Sequence, residues 1–513
     1  MKICNCWKKL RKLCSGGKIL LKRFCIYLLL GIGIVLTIPK SAQAVSSIGS
    51  CDFNSDNDPP DAITSDYAYK NKVHYCDTGD IMEINTPMSR TWALMDLNGA
   101  DNNAPANNVS ITISADGSLT STVTGAANII ASDSDGATIV NHGAMTAGTK
   151  TINISSGTNA TITNSGTITT NNNRTTAIEA TGTGLTINNS GDIIVGGNIS
   201  IITTGTDSTI NNNSGATIQA VQYTIKGTAT NTETSSIITN SGYIYGTTNR
   251  AIYIDGSAYT ITNQSAGLIR AGSDGSTSTS HKLAIEADDN GTNLTINNYG
   301  KIEAGANTIK TASTGMTLTN YSEGTISVTS GSSKAIFVDG NNTTITNKGT
   351  ITATDGSNTI NVNSGITGTN IVLNDSPTFT GEIDLESTAT TITLSCGLSK
   401  DIDLELERKT NMTVTSNLCG NDTYEILDSS KNADADNSET NGYIRIDEGL
   451  EVVSNNASYR SENVLTKLKG LFSAANYIDG VEPEDKFFRV FYSNVKRENM
   501  YKGSMAGVVG QLS

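Results

Sequence analysis

A short segment of the form Thr-Ile-x-Asn recurs along this chain, and this recurrence constrains the fold more than any other feature. Nearly every copy is followed within two to four residues by Gly and then by a second apolar residue. Thr and Ile alternate as on a strand, and Asn and Gly tolerate left-handed backbone angles, so each copy predicts a strand, a sharp corner and a second strand. The aligned asparagines are Asn141, Asn164, Asn189, Asn212, Asn240, Asn263, Asn298, Asn320 and Asn347.

A second ladder has the same period of about 25 residues. It consists of a small residue, Ile and a variable third residue, and the third residues are Glu179, Ile202, Lys226, Tyr253, Glu286, Lys310, Phe337 and Asn361. An antiparallel sheet would repeat as a hairpin, and an immunoglobulin-like array as domains of about 100 residues. We therefore predict an all-β fold, a right-handed parallel β-helix over residues 105–420, with an N-terminal cap region over 45–104.

The N-terminal segment 1–44 has the pattern of a signal peptide. It contains nine Lys or Arg and no acidic residue, then an apolar run over 24–38 and the small-x-small tripeptide Ala42-Gln43-Ala44. These features predict cleavage after Ala44. The alternatives are a retained membrane anchor and a lipoprotein with its lipidation box ending at Cys51.

Cysteine spacing agrees with the coil period. The chain without its signal peptide keeps Cys51, Cys76, Cys396 and Cys419, which form two pairs separated by 25 and 23 residues. Equivalent positions in neighbouring coils lie about 4.8 Å apart, within the range of about 4.4–6.8 Å between Cα atoms that a disulfide requires. We predict the disulfides Cys51–Cys76 and Cys396–Cys419, because an exported protein is usually oxidised.

The basic signal peptide, the Asn/Thr/Gly-rich coils and the changed composition after Gly420 together resemble autotransporter passengers of Gram-negative bacteria, the monomeric type V secretion system. This resemblance implies an exported rod, often an adhesin, followed by a helix and an outer-membrane barrel. Residues 421–513 are then a junction of mixed structure, with a pore-helix-like segment at Glu462–Ala475 and strands at 487–492 and 501–512.

The resemblance also implies where the chain resides. Two strands fall short of the roughly 8 in the smallest outer-membrane barrels, so the barrel is expected to be missing or truncated. The chain would then reach the outer membrane only through a barrel that it does not encode. We expect it to be periplasmic when expressed alone and at the cell surface when joined to a barrel.

The sequence carries few signals for catalysis. Among the third residues of the second ladder, no two carboxylates occupy adjacent positions, so paired acids and a calcium cluster are not expected. Only His74, His142 and His281 could serve a hydrolase, and no GxSxG or HExxH motif is present. The sequence therefore predicts a protein that is not an enzyme and has no catalytic, metal or cofactor site.

Charge narrows the possible partners. The net charge is −14 for the whole chain and −23 without residues 1–44, so nucleic acid is not an expected partner. The favoured function is adhesion through a host or cell-surface glycan or protein, or self-association of rods. The alternatives are a polysaccharide-cleaving enzyme on the same scaffold and a non-functional fragment of a split autotransporter.

Overall fold

Short strands follow one another through the chain, and most of them pair with a strand one coil away. The computed structural model describes residues 107–419, apart from gaps at 122–127, 171–175, 229–234, 273–281, 330–332, 355–356, 399–403 and 408–410. It also describes the segments 52–53, 74–75, 78–79, 81–85, 87–90, 95–96, 422–428, 442–447, 488–497 and 501–510. The signal-peptide residues, including Ala42 and Ala44, and the predicted helix at 462–475 lie outside this described part.

Three long sheets form the first of two units, Met1–Glu448, and the strands are numbered β1–β45 in chain order. Sheet 1 has 14 strands, and most of them carry the Thr-Ile-x-Asn segments. They are β3 (Ile81–Ile84), β6 (Ser110–Ile113), β9 (Thr138–Asn141), β12 (Thr161–Asn164), β15 (Thr186–Asn189), β18 (Thr209–Asn212), β21 (Ser236–Asn240), β24 (Tyr259–Asn263), β27 (Thr295–Asn298), β30 (Thr317–Asn320), β33 (Thr344–Asn347), β36 (Thr367–Leu373), β39 (Ala389–Ser395) and β41 (Met412–Asn417).

Sheet 2 has 12 strands, and most of them follow the corner glycines. They are β4 (Pro87–Arg90), β7 (Ser118–Ser121), β10 (Ala144–Ala147), β13 (Thr167–Thr170), β16 (Asp192–Val195), β19 (Thr217–Ala220), β22 (Tyr243–Gly246), β25 (Leu268–Ala271), β28 (Lys301–Ala304), β31 (Thr325–Val328), β34 (Thr350–Thr352) and β37 (Thr378–Thr380).

Sheet 3 has 17 strands and contains the second ladder. They are β1 (Asp52–Phe53), β2 (His74–Tyr75), β5 (Met95–Asp96), β8 (Ile130–Ser132), β11 (Ile152–Ile154), β14 (Thr176–Ala180), β17 (Ile199–Thr203), β20 (Tyr223–Gly227), β23 (Arg250–Ile254), β26 (Ile285–Ala287), β29 (Ile309–Thr311), β32 (Lys334–Val338), β35 (Asn358–Val362), β38 (Glu382–Leu385), β40 (Leu404–Glu407), β42 (Thr423–Asp428) and β43 (Gly442–Asp447).

The register confirms the predicted parallel solenoid. Ile162 pairs with Ile187 in the next coil, and Ile187 pairs in turn with Ile210. These side chains are 0–2% exposed, while the Thr and Asn residues on either side of them face outward. The parallel pairing begins before residue 105: β2 pairs with β5, and Ile81–Ile84 pairs with Ser110–Ile113. The sequence did not reveal these earlier coils because Ile81–Ile84 is not followed by an Asn-Gly corner.

The two ends of the parallel body depart from this pattern. At the N-terminal side, β1 pairs antiparallel with β2, which places Asp52 opposite Tyr75. At the C-terminal side, β43 pairs antiparallel with both β40 and β42, so the coil pattern stops after β41. The second unit, Gly449–Ser513, contains an antiparallel hairpin of β44 (Phe488–Arg497) and β45 (Tyr501–Gly510), at the positions where the sequence predicts strands.

The nine aligned asparagines form one continuous hydrogen-bonded ladder inside the solenoid. They are 0–1% exposed, and the Nδ2 of each one except Asn347 donates to the Oδ1 of the next asparagine over 2.7–2.9 Å. All members except Asn347 also donate to nearby backbone carbonyls. The ladder ends where Ile113 pairs with Asn141 and Asn347 pairs with Leu373.

The sequence predicts left-handed backbone angles for Asn and Gly at the corners, and the ladder shows that this prediction is wrong for the asparagines. The nine asparagines end strands and have no left-handed backbone, and neither does Gly166. A Cβ on Gly166 would lie 2.0 Å from the carbonyl oxygen of Gly143 in the coil below. The asparagine is therefore needed for its side-chain hydrogen bonds, and the glycine for the close approach of two backbones.

Gly215, in the corner after Asn212, does have a left-handed backbone, but most left-handed residues occupy the corner between sheet 3 and sheet 1, two positions before the sheet 1 segments. This row contains Asn108, Gly136, Asn159, Gly184, Asp207, Ala258, Asn293, Gly315, Asn342 and Gly368. A Cβ on Gly184 would lie 2.5 Å from the Oδ1 of Asn159. Glycine is therefore required in a coil whose neighbour below carries an asparagine side chain in the same space.

The disulfide Cys396–Cys419 is present, and its two Cα atoms lie 4.7 Å apart. Both residues follow adjacent sheet 1 strands: Cys396 comes directly after Ser395, and Cys419 comes two residues after Asn417, the register partner of Ser395. Cys51 and Cys76 lie outside the described residues, so their pairing stays a prediction. The strands next to them are antiparallel rather than stacked coils, which is not the arrangement that the sequence predicted.

Candidate functional site

The outer face of sheet 3 presents the third residues of the second ladder in the predicted order. Successive strands pair Ile202 with Lys226, Lys226 with Tyr253, Tyr253 with Glu286 and Glu286 with Lys310. In a parallel sheet these partners lie about 4.8 Å apart, so the ladder brings together side chains that are 24 to 33 residues apart in sequence.

The central part of this face forms a cluster that we call the sheet 3 patch: Tyr223, Lys226, Arg250, Tyr253, Glu286 and Lys310. Tyr223 pairs with Arg250 and Lys226 pairs with Tyr253, so aromatic and cationic side chains alternate on two adjacent strands. The ring centroids of Tyr223 and Tyr253 are 5.3 Å apart. The Arg250 Cζ lies 5.4 and 5.3 Å from these two centroids, which is the range of cation–π attraction.

A buried carboxylate holds two of the cations. Glu286 is only 5% exposed, forms an ion pair with Arg250, and accepts from the Lys310 Nζ at 3.2 Å. Burial makes a lone carboxylate costly, and the two cations offset that cost. The carboxylate therefore lies beneath the surface, while the Lys310 side chain, 30% exposed, reaches it from solvent.

Tyr253 is fixed by a second carboxylate. Its hydroxyl donates to the Oδ2 of Asp288, just after β26. Burial and this hydrogen bond raise the pKa of Tyr253 above its ordinary value. The same hydrogen bond holds the pKa of Asp288 below its usual range. Tyr253 is therefore a neutral donor and Asp288 an ionised acceptor at neutral pH.

Sheet 2 carries a related cluster in the same coils. Tyr243 and Tyr245 are stacked with their centroids 5.4 Å apart, and the Arg270 Cζ lies 5.9 Å from the Tyr245 centroid. Glu303 forms ion pairs with Arg270 at 3.5 Å and with Lys301 at 2.5 Å. Burial raises the pKa of Tyr243, and the charge of Arg270 opposes that shift. This cluster was not predicted from the sequence. The signal was present, because apolar and polar residues alternate after each corner glycine and this alternation places the polar ones on the outer face.

The second ladder continues beyond the residues recognised in the sequence. Asn361 pairs with Asp384, and Asp384 pairs with Glu407, so two carboxylate residues do occupy adjacent positions. The prediction that none do was wrong, because the ladder was followed only as far as Asn361. The Nδ2 of Asn361 donates to Asp384 over 2.6 Å, and Asp384 is 7% exposed.

The corner after the asparagine ladder brings one histidine next to a serine. The Nδ1 of His142 lies 2.7 Å from the Oγ of Ser165 in the next coil, and both residues are at the surface. His74 lies on β2, and His281 is outside the described residues. Within the described ranges, no three His, Cys, Asp or Glu side chains come together as a metal site, and no helix has the length and apolarity to span a membrane.

The fold and the patch thus define a parallel β-solenoid with an aromatic and cationic outer face. No protein-family model, curated protein or solved structure matches the chain.

Proposed function

We propose that this chain is an exported surface rod of the autotransporter-passenger type, and that its sheet 3 patch is an adhesive contact for a glycan or protein on another surface. The signal-peptide pattern over 1–44 supports export, and the β-solenoid is the scaffold that the resemblance implies.

One observation supports this proposal most directly: the outward side chains change character in the middle of the solenoid. Outward positions of sheet 2 are Thr146 and Thr169 towards one end and Ser327 and Thr352 towards the other. Between them, coils 223–310 carry outward tyrosines, lysines and arginines on sheets 2 and 3. Tyrosine and arginine are enriched where binding energy is concentrated. A solenoid needs only its inward residues for stacking, so this change is unnecessary for the fold.

Binding of the purified full chain to surfaces coated with glycans, proteins or a second copy of the chain tests the proposal. The double variant Tyr223→Thr/Tyr253→Thr gives the patch the residue type found elsewhere on the surface, and it should lose most of the binding. Thr146→Val on β10 is the matched control and should retain it. Equal binding by the parent and the double variant, or no binding by the parent, would contradict the proposal.

Export can be tested separately. We expect the mature chain to begin at Val45 and to be recovered outside the cytoplasm, which N-terminal sequencing and cell fractionation would establish. An unprocessed chain that remains in the cytoplasm would contradict this part.

One observation favours a second candidate, a polysaccharide-cleaving enzyme. The adjacent register positions of Asp384 and Glu407 supply the pair of carboxylate residues that glycoside hydrolysis usually requires. Release of reducing ends from soluble polysaccharides by the parent, and its loss in both Asp384→Asn and Glu407→Gln, would support this candidate over adhesion alone. Absence of release from every polysaccharide tested would count against it.

A further inference from the structure

We propose that the sheet 3 patch binds a carboxylate-bearing oligosaccharide that lies along the solenoid axis. Lys226 and Lys310 would contact its carboxylates, and Tyr223 and Tyr253 would contact its sugar rings. This inference rests on the proposed adhesive function and specifies its ligand class.

The carboxylate of the patch is more deeply buried than its cations, and this difference favours an anionic ligand. Glu286 is buried, and the cations it binds are more exposed, with 14% exposure for the Arg250 side chain and 30% for that of Lys310. The patch has three cations and one carboxylate, and the ionised Asp288 bonded to Tyr253 adds a second carboxylate, so one positive charge is in excess in a chain with a net charge of −14. A local positive surface on an acidic protein is complementary to a ligand with negative charges.

Lys226 is the cation best placed to bind a ligand. Its Nζ lies 5.9 Å from the Tyr223 centroid and 5.6 Å from that of Tyr253. Among the described residues, no carboxylate lies within ion-pair distance of it, and its register partners are Ile202 and Tyr253. A ligand carboxylate could therefore form a charge-assisted hydrogen bond to Lys226 without displacing an existing ion pair.

The spacing favours a short chain rather than a single sugar. Lys226 and Lys310 are three strands apart, which is about 14 Å along the axis. Phe337 is the next register partner after Lys310 and extends the face by one strand. Aromatic side chains offer a flat apolar surface on which the faces of sugar rings can pack. The tyrosine hydroxyls can form hydrogen bonds with the sugar hydroxyls.

The patch is already held in position before any ligand arrives. Arg250 lies within cation–π distance of both tyrosine rings and forms an ion pair with Glu286, while Tyr253 is hydrogen-bonded to Asp288. Ordering long side chains opposes binding, and here much of that ordering is complete in the free protein.

The test measures binding of oligogalacturonate to the purified full chain by calorimetry, with the same oligomer after reduction of its carboxyl groups as the neutral counterpart. The parent should bind the acidic form and bind the reduced form at least about tenfold more weakly. Lys226→Gln should weaken binding of the acidic form about tenfold, a change of about 1.4 kcal/mol. Lys226→Arg should retain binding, which shows that the charge at this position matters and that the position tolerates substitution.

Lys348→Gln is the matched control, because Lys348 is also a surface lysine but contacts Asp375 at 3.6 Å, outside the patch. It should bind like the parent. Dextran sulfate and duplex DNA provide the comparison with other polyanions, and both should bind more weakly than oligogalacturonate.

Three results would overturn this inference: no binding of the acidic oligomer, equal binding of the reduced oligomer, or an unchanged affinity in Lys226→Gln. Binding of DNA or dextran sulfate as tight as that of the uronate would also overturn it, because it would indicate a general polyanion surface. If the chain fails to bind the uronate but still binds another coated surface through the patch, the proposed ligand class is wrong and the proposed adhesive function stands. Failure of all coated surfaces would remove the proposed function itself.

Discussion

Interrupting the asparagine ladder in its middle should destabilise the solenoid more than shortening it at its end. We consider Asn212→Leu and Asn141→Leu. Leucine is a suitable replacement because the coils beyond the two ends already carry Ile113 and Leu373 at this position. Both substitutions therefore place a similar apolar side chain at an equivalent buried site.

The expected magnitudes follow from the number of unpaired amide atoms. In the parent, the Oδ1 of Asn141 and the Nδ2 of Asn347 have no hydrogen-bond partner. Asn212→Leu adds one, because Asn240 loses the donor to its Oδ1, whereas the Nδ2 of Asn189 loses the Asn212 oxygen but still donates to the carbonyls of Gly191 and Thr217. A buried unpaired group costs about 1–3 kcal/mol and a lost hydrogen bond about 0.5–1.5 kcal/mol, so we expect a loss of about 1.5–4.5 kcal/mol.

Asn141→Leu should cost much less. It removes Asn141, whose Oδ1 is already unpaired, but the Oδ1 of Asn164 then loses its donor. The number of unpaired amide atoms is therefore unchanged. We expect a loss of less than about 1.5 kcal/mol, the net contribution of one ordinary hydrogen bond.

The assay is urea-induced unfolding followed by circular dichroism, combined with hydrogen exchange of backbone amides, since a solenoid can open coil by coil. In Asn212→Leu, faster exchange should centre on β15, β18 and β21. Equal losses of stability in the two variants, within about 0.5 kcal/mol, would refute the reasoning, because the two differ in the unpaired groups they create. Thermal melting that is unchanged in both would refute it as well.

Gly166→Ala should lower the free energy of unfolding by about 1–3 kcal/mol, because its Cβ would clash with the backbone of another coil. Gly215→Ala should lower it by only about 1 kcal/mol, because Gly215 has a φ of 81° but open space where the Cβ would lie. Denaturant midpoints would show the difference, and equal losses of stability would contradict the prediction. Cys419→Ser removes the disulfide to Cys396, which closes a loop of about 23 residues and should stabilise the fold by about 3 kcal/mol. Hydrogen exchange of backbone amides should therefore become faster first at β39 and β41. A uniform increase in exchange along the chain would argue against this. Tyr253→Phe should raise the pKa of Asp288 towards its usual range, since the donor is lost. In the parent this depressed pKa stabilises the fold above the ordinary pKa of Asp, and that stability is lost as the pH falls through the folded-state pKa, so the two proteins should converge in stability at acidic pH. A stability difference that does not depend on pH would refute the assignment.

Much of the fold could be predicted from the sequence, because the repeat is a local pattern. Each period contains an alternation of Thr and Ile that makes one face apolar, and equivalent strands of successive coils must then pair. The same period locates the disulfide Cys396–Cys419 and the order of Lys226, Tyr253 and Glu286 on one face.

Only the tertiary structure decided what the corner residues do and which outward residues meet. The asparagines bond to each other across coils, and Gly166 is required by the carbonyl oxygen of another coil; neither contact exists within one repeat. The same is true of Arg250 and Glu286, and of the register that pairs Asp384 with Glu407. The sequence therefore determined the period and the inward face, since these depend on local alternation. The structure determined the ladder and the patch, because they depend on distances between side chains that belong to different coils.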